Sequence, residues 1–260
     1  MMKRTSSHPP NQNACDRSEW WREWFNHLYL DVYAHRSEDD AEAEIAAALA
    51  VRSIQPQDRI LDLCCGAGRH CRALRRAGRH RVIGLDYSLP LLQHAATESP
   101  HECYVRGDMR LLPFHDEEMD AVLSFFTSFG YFTTNLENLA VLHEIARVLR
   151  SNGQFLLDYL NPVHVRRTFA PESEKKHGDY TIREHRSLSS DGERIEKEII
   201  IENWGGENHV YHESVRLYDY DQMMEMLQSA DLQVEGVLGA FDQSPFQEDS
   251  ERMILYGYKK

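Results

Sequence analysis

Asp58-Arg-Ile-Leu-Asp-Leu-Cys-Cys-Gly-Ala-Gly-Arg-His70 is the stretch that decides the fold. Ile60, Leu61 and Leu63 form a short apolar run carrying one acid, Asp62. A tight turn, Gly66-Ala67-Gly68, follows, and a helical pattern begins at Arg69. The expected order is a buried parallel strand, a glycine turn and a helix N-terminus. Lacking a Cβ, such a turn lets backbone N–H groups approach a ligand closely.

The same rhythm repeats downstream. Strands are expected at 59–63, 81–86, 103–106, 121–125 and 154–159, with helices at 69–77, 89–97 and 135–149. The last helix stops at Ser151-Asn152-Gly153, a C-cap turn. Alternating strands and helices imply a parallel sheet with right-handed crossovers. Beyond Asn161-Pro162 the rhythm changes. Residues 163–178 are polar and loop-like. Three antiparallel strands are expected at 180–187, 194–203 and 209–218, joined at Asp191-Gly192 and Gly205-Gly206. Ile195, Ile199 and Ile201 alternate with charged neighbours, so this small sheet is one-sided. A helix at 221–230 and two strands at 233–238 and 253–258 close the chain.

Upstream, residues 1–15 read as a disordered tail. Residues 16–57 read as a helical cap. Trp20, Trp24 and Leu28 fall on one face of an aromatic helix. A second helix spans 39–53, with Ser37 as its N-cap and Pro56 beyond its end. The expected architecture is α/β: a doubly wound, mostly parallel seven-stranded sheet over 58–162 and 219–260. The N-terminal helical cap and an antiparallel β insertion at 163–218 complete it.

Composition narrows the partners. The chain has 260 residues, 42% hydrophobic and 27% charged, with a net charge of −13. Tracking phosphates needs clustered Lys and Arg, and the arginines between 72 and 81 read as a solvated helix face. DNA is excluded and RNA disfavoured. No apolar run approaches the ~18 residues of a membrane span, and no signal peptide is evident. Five cysteines without a Cys-x-x-Cys make neither a disulfide framework nor a zinc site. Reduced thiols point to the cytosol.

Four features share the carboxyl edge of the expected sheet. Asp62 precedes Gly66 and Gly68. Asp86 ends the apolar run Val82-Ile83-Gly84-Leu85, 18 residues beyond Gly68. A carboxylate there can accept both hydroxyls of a ribose. Gly107-Asp108-Met109 offers an acceptor for an adenine amino group and an apolar cover for the ring. The strand beginning at Asp120 runs out into Ser124-Phe-Phe-Thr-Ser-Phe-Gly-Tyr131. Ligands of open α/β sheets bind at that edge. A dinucleotide is disfavoured, because Cys71 replaces the third glycine of its fingerprint.

Together these motifs resemble the class I S-adenosylmethionine-dependent methyltransferases, over roughly residues 58–160 plus the closing strands. The marks are Ile60–His70, Gly84-Leu-Asp-Tyr-Ser88, Arg106-Gly-Asp-Met-Arg-Leu-Leu-Pro-Phe114, Asp120-Ala-Val and the segment Leu142–Phe155. The resemblance implies a Rossmann-like methyltransferase fold with S-adenosyl-L-methionine as cofactor. Gly66 and Gly68 would pass under its methionine part, with Asp62 near the amino group. Asp86 would hold the ribose, with Tyr87 beside it, and Asp108 and Met109 would contact adenine. Phe125 would start the segment facing the sulfonium. Cys64 stands where the family's loop usually has its first glycine.

Methyl transfer mostly requires positioning and exclusion of water. Tyr131, Tyr33 and His164 are the candidate catalytic residues. Tyr131 would orient a substrate amine or hydroxyl, Tyr33 would belong to an N-terminal lid, and His164 would act as a base. Asp242 is a further candidate substrate contact. Ser124-Phe-Phe-Thr127 lacks the Asn/Asp-Pro-Pro-Tyr of enzymes that methylate nucleic-acid bases. The insertion resembles in placement those of small-molecule N-methyltransferases, where it would serve as substrate cover or dimer surface. The expected activity is methylation of a nitrogen or oxygen on a small molecule, by a monomer or homodimer with no metal. RNA or protein methylation, or cofactor binding without catalysis, are the alternatives.

Overall fold

The computed structural model describes residues 19–203, 205–206 and 208–260. The expected 1–15 tail lies outside the described residues. After the cap come β1 (Ile60–Leu63), α4 (Arg69–Arg76), β2 (Val82–Asp86), α5 (Leu89–Glu98), β3 (Cys103–Arg106), β4 (Met119–Ser124), α6 (Asn135–Val148) and β5 (Leu149–Leu160). The closing elements are α8 (Tyr220–Ser229), β10 (Leu232–Leu238) and β11 (Arg252–Lys259). They build one seven-stranded sheet in the order β10-β11-β5-β4-β1-β2-β3. Only β11 runs antiparallel to its neighbours. The order reverses between β1 and β4, which opens a crevice at their carboxyl ends. β1 is buried on both faces, as a central parallel strand must be.

The cap is α1 (Trp21–Trp24), α2 (His27–Val32) and α3 (Glu38–Val51). The single aromatic helix expected from the spacing is broken at Phe25-Asn26. Asn26 is extended, and its side chain accepts the Leu28 N–H to start α2. Trp24 and Leu28 are nonetheless both buried, because each short helix turns its own apolar residue inward. Ser37 caps α3 as expected, in a capping box with Asp40.

The insertion has four strands, one more than its pattern predicts. Following α7 (Pro162–Arg167) are β6 (Glu172–His177), β7 (Tyr180–Leu188), β8 (Arg194–Asn203) and β9 (Asn208–Arg216), hydrogen-bonded in that order. β6 is Glu-Ser-Glu-Lys-Lys-His, an edge strand exposed along most of its length. It buries no apolar face and so leaves no period-two signal. Ile182, Ile199 and Ile201 are buried on the one apolar face. Ser151-Asn152-Gly153 lies inside β5 rather than before it. Strand pairing skips from Leu149 to Gln154, and Asn152 takes a left-handed φ of 60°.

Candidate active site

A cavity of about 280 Å³ opens at the β1/β4 crevice. Its floor comes from the strand ends and its roof from the cap. Cys64, Gly66, Asp86, Tyr87, Asp108, Met109 and Phe125 all line it. Tyr33 and Tyr131 line it from above.

Asp86 organises the floor. It ends β2, and its two carboxylate oxygens accept the Gly66 and Ser88 N–H groups, each at 2.8 Å. One lone pair on each oxygen remains for a ligand. Burial pushes this carboxyl up to about 6, although both N–H donors pull it down. Asp108 sits in the fork of Arg110, with contacts at 2.7 Å and 3.1 Å. Partial burial works against ionisation there, but Arg110 outweighs it and holds the carboxyl below its ordinary range. Met109 Sδ meets Cys64 Sγ at 3.6 Å, closing one wall. Tyr87 accepts a hydrogen bond from Arg22 at 2.7 Å and packs edge-on against Trp21. The cap is thereby tied to the strand end beside Asp86.

Two residues of the glycine loop do not line the cavity. Asp62 is 1% exposed beneath the turn and accepts the Cys71 thiol at 3.2 Å. Gly68 has a φ of 74°, and a Cβ there would overlap the Tyr104 hydroxyl. Its glycine serves the packing of α4 on the sheet. Cys64, where a glycine was expected, has a φ of 64°. That conformation explains the family's glycine and costs an L-residue about 1–2 kcal/mol. A β-branched side chain tolerates it least. Urea unfolding should therefore find Cys64→Val about 1–2 kcal/mol less stable than Cys64→Gly. Equal stabilities would mean that the loop relaxes out of the left-handed region.

Burial disfavours the phenolate form of both candidate tyrosines. The Tyr33 hydroxyl donates to Glu213 and accepts from Lys197, each at 2.7 Å. Burial, with Glu213 beside it, raises Tyr33 well above the ordinary phenol value. Burial also raises Tyr131 well above it. Among the described residues the Tyr131 hydroxyl has no hydrogen-bond partner, which leaves it free to donate into the cavity. His164 lies on α7 and does not line the cavity, because β5 delivers its following residues one strand beyond the β1/β4 crevice. Asp242 is exposed and also absent from the lining.

Sequence reasoning missed Arg36, and His70 proves to be a packing residue. Arg36 lines the cavity between the rings of Tyr33 and Phe126, 4.1 Å and 4.5 Å from their centroids. It donates to the Tyr29 hydroxyl at 2.8 Å. Among the described residues no carboxylate pairs with it. Arg69 and Arg72, the other lining guanidinium groups, contact Glu44 and Glu38. His70 is buried, bonded to Glu44 at 2.6 Å, and stacked on Phe125 with centroids 4.1 Å apart. No motif marks Arg36, and the motif that ends at His70 does not reveal its partner Glu44, because both contacts arise from the cap folding back on the sheet.

Among the described residues, the insertion contributes nothing to the lining. It supports the residues that do. Glu213 of β9 accepts Trp24 Nε1 at 2.6 Å and the Tyr33 hydroxyl, and pairs with Lys197 at 2.7 Å. Arg194 of β8 donates to the carbonyls of Gly130, Tyr131 and Phe132. The sheet thus grips both the cap and the loop after β4.

Comparison with known proteins agrees with this geometry. Residues 60–153 match the family described as "Methyltransferase domain". YqeM of Bacillus subtilis (strain 168), classed with the methyltransferases, is 26% identical over 244 residues, covering 90% of this chain and 96% of its own. A crystal structure of an S-adenosylmethionine-dependent methyltransferase from Clostridium acetobutylicum ATCC 824 superposes with a TM-score of 0.76 at 14% identity, covering 90% of this chain and 96% of that one. CalS10, an amino pentose methyltransferase from Micromonospora echinaspora solved with its cofactor bound, gives 0.67 at 20% identity, over 90% and 97%. Over residues 60–153 the chain is similar to that family, and its fold is that of the class I S-adenosylmethionine-dependent methyltransferases. Among the described residues, no helix is long and apolar enough to cross a membrane.

Proposed function

We propose that this cavity binds S-adenosyl-L-methionine and that the protein methylates a nitrogen of a small-molecule acceptor. The observation that carries the reading is Asp86, a strand-end carboxylate with a free lone pair on each oxygen, facing the same cavity as Asp108 and Met109. The residues fit the cofactor in chemistry. Asp86 can accept ribose hydroxyls, Tyr87 and Met109 offer apolar faces, and Arg36 offers a cation for the α-carboxylate. When bound, the cofactor supplies a methyl group activated on a sulfonium.

Nitrogen is favoured over oxygen by the aromatic upper cavity, and several titratable lining groups are already engaged, although His94 also lines the cavity. His70 is bonded to Glu44, Glu38 to Arg72 and Arg76, and Asp108 to Arg110. A neutral amine needs no base. Its lone pair forms the new N–C bond as the S–C bond breaks, and the resulting ammonium loses a proton to solvent. The upper cavity is lined by Phe25, Tyr29, Tyr33, Phe126 and Tyr131. Aromatic faces stabilise the positive charge that passes from sulfur to nitrogen. The amino pentose acceptor of CalS10 supports a small amine.

Labelled cofactor, offered with matched panels of amines, phenols and carboxylic acids, should label amines. Tyr131→Phe should lower kcat/KM by about tenfold on the amine found, the value of one hydrogen bond to a reacting group. Labelling of phenols alone would overturn the nitrogen assignment. Cofactor binding with no acceptor in the panels or in cell extract would point to a non-catalytic binding protein.

A further inference from the structure

The loop leaving β4 is held in an unfavourable conformation at the cavity wall. Phe126 and Thr127 have φ of 57° and 55°. They are the only adjacent non-glycine residues in the left-handed region among those described. Such conformations cost about 1–3 kcal/mol each and persist only where the surroundings over-determine them. Here the surroundings are two residues from neighbouring strands.

Asp158 of β5 is fully buried. Its side chain accepts the Phe126 N–H at 2.7 Å, and its carbonyl accepts the Thr127 N–H at 3.1 Å. Arg252, at the start of β11, donates to Asp158 Oδ1 at 2.8 Å and to Thr127 Oγ1 at 2.9 Å. Both N–H groups and the threonine hydroxyl of the strained pair are therefore gripped from β5 or β11. What this grip presents is the Phe126 ring, which lines the cavity with Arg36 at 4.5 Å and Arg69 at 4.8 Å from its centroid. Neither Asp158 nor Arg252 lines the cavity.

We propose that Asp158 and Arg252 are positioning residues for the cofactor's amino-acid end: they hold Phe126-Thr127 left-handed, so that Phe126 seats the Arg36 guanidinium at the cavity wall. Released, the loop would relax toward the right-handed or extended regions, and Phe126 would leave Arg36 without its ring. The pair is a clamp rather than a general brace, because its bonds converge on the two strained residues. The proposal rests on the cofactor reading above.

Glycine adopts the left-handed region without cost. Thr127→Gly should therefore make the clamp partly redundant, which a merely structural role would not do. The test is calorimetric binding of S-adenosylhomocysteine to the full chain, with unfolding temperatures measured alongside. Arg252→Met is expected to weaken binding by about tenfold or more, the equivalent of about 1.4 kcal/mol. In the Thr127→Gly background the same substitution should cost less than about threefold. Asp158→Asn, isosteric at a buried position, should weaken binding in the same direction. Failure of the native chain to bind would sink the cofactor reading itself. Binding by the native chain together with unchanged affinity in folded Arg252→Met and Asp158→Asn would overturn the clamp alone. So would a loss of affinity that persists undiminished in Thr127→Gly, since it would then follow stability rather than loop conformation.

Discussion

Asp86→Ala should bind S-adenosylmethionine about a hundredfold more weakly than the native chain, a loss of about 2.7 kcal/mol. Two contributions combine. Hydrogen bonds to a charged acceptor are worth about 1.5–3 kcal/mol each, and the ribose offers two donors. The same carboxylate also fixes the loop through the Gly66 N–H and the start of α5 through the Ser88 N–H. Isothermal calorimetry checks the result, and unchanged affinity would remove Asp86 from the site.

The pH dependence follows from the burial that pushes this carboxyl up to about 6. Donation from ribose hydroxyls favours the ionised form. Affinity should be flat above about pH 7 and fall as pH drops through 6. Fold stability responds in the opposite sense. A folded-state value raised above the unfolded one means that the fold favours the protonated acid. This group's stabilisation is complete below the unfolded carboxyl range, and it is lost as pH rises through about 6. Between about pH 5 and 7 the Asp86 contributions to affinity and to ligand-free stability should therefore change in opposite directions. An affinity profile flat through that window would show that the ribose does not engage the charged carboxylate.

The second large effect is expected at Arg36. Arg36→Met should weaken S-adenosylhomocysteine binding by about 10- to 100-fold, the range for losing a charge-assisted hydrogen bond. Binding of 5′-methylthioadenosine, which lacks the amino-acid tail, should be nearly unchanged. The contrast is informative because Arg36 lines the cavity without a carboxylate partner among the described residues. Equal losses for both ligands would make Arg36 a support for the aromatic wall rather than a carboxylate anchor. Methionine keeps the length and apolar stem, so the packing against Tyr33 and Phe126 is largely retained.

The floor of the site was legible in the chain. Asp86, Tyr87, Asp108, Met109 and Phe125 end or follow strands, and strand ends can be read from local apolar runs. Once those strands form a parallel sheet, all their carboxyl ends share one edge. The roof was not legible. Tyr33 read as part of an N-terminal lid, but nothing near it announced that its hydroxyl would meet Lys197 and Glu213, both far along the chain in the insertion. His164 looked equivalent to the strand-end acids, but sheet order sets it one strand too far from the crevice. β6 escaped notice because an edge strand exposed on most of its length has no reason to alternate.

By itself, the sequence determined the doubly wound sheet and the acids along its carboxyl edge. These depend on periodicity, glycine turns and strand ends, which are properties of short segments. Only the tertiary structure decided what closes over that edge. It brought Arg36 in without a carboxylate partner among the described residues, and buried Asp62 beneath the turn and Gly68 against Tyr104. It also made the insertion a support for the cap, with none of its described residues lining the cavity. Those outcomes are set by contacts between separate segments, as far as 180 residues apart between Tyr33 and Glu213, and by the burial that shifts each ionisable group, and no local pattern records either one.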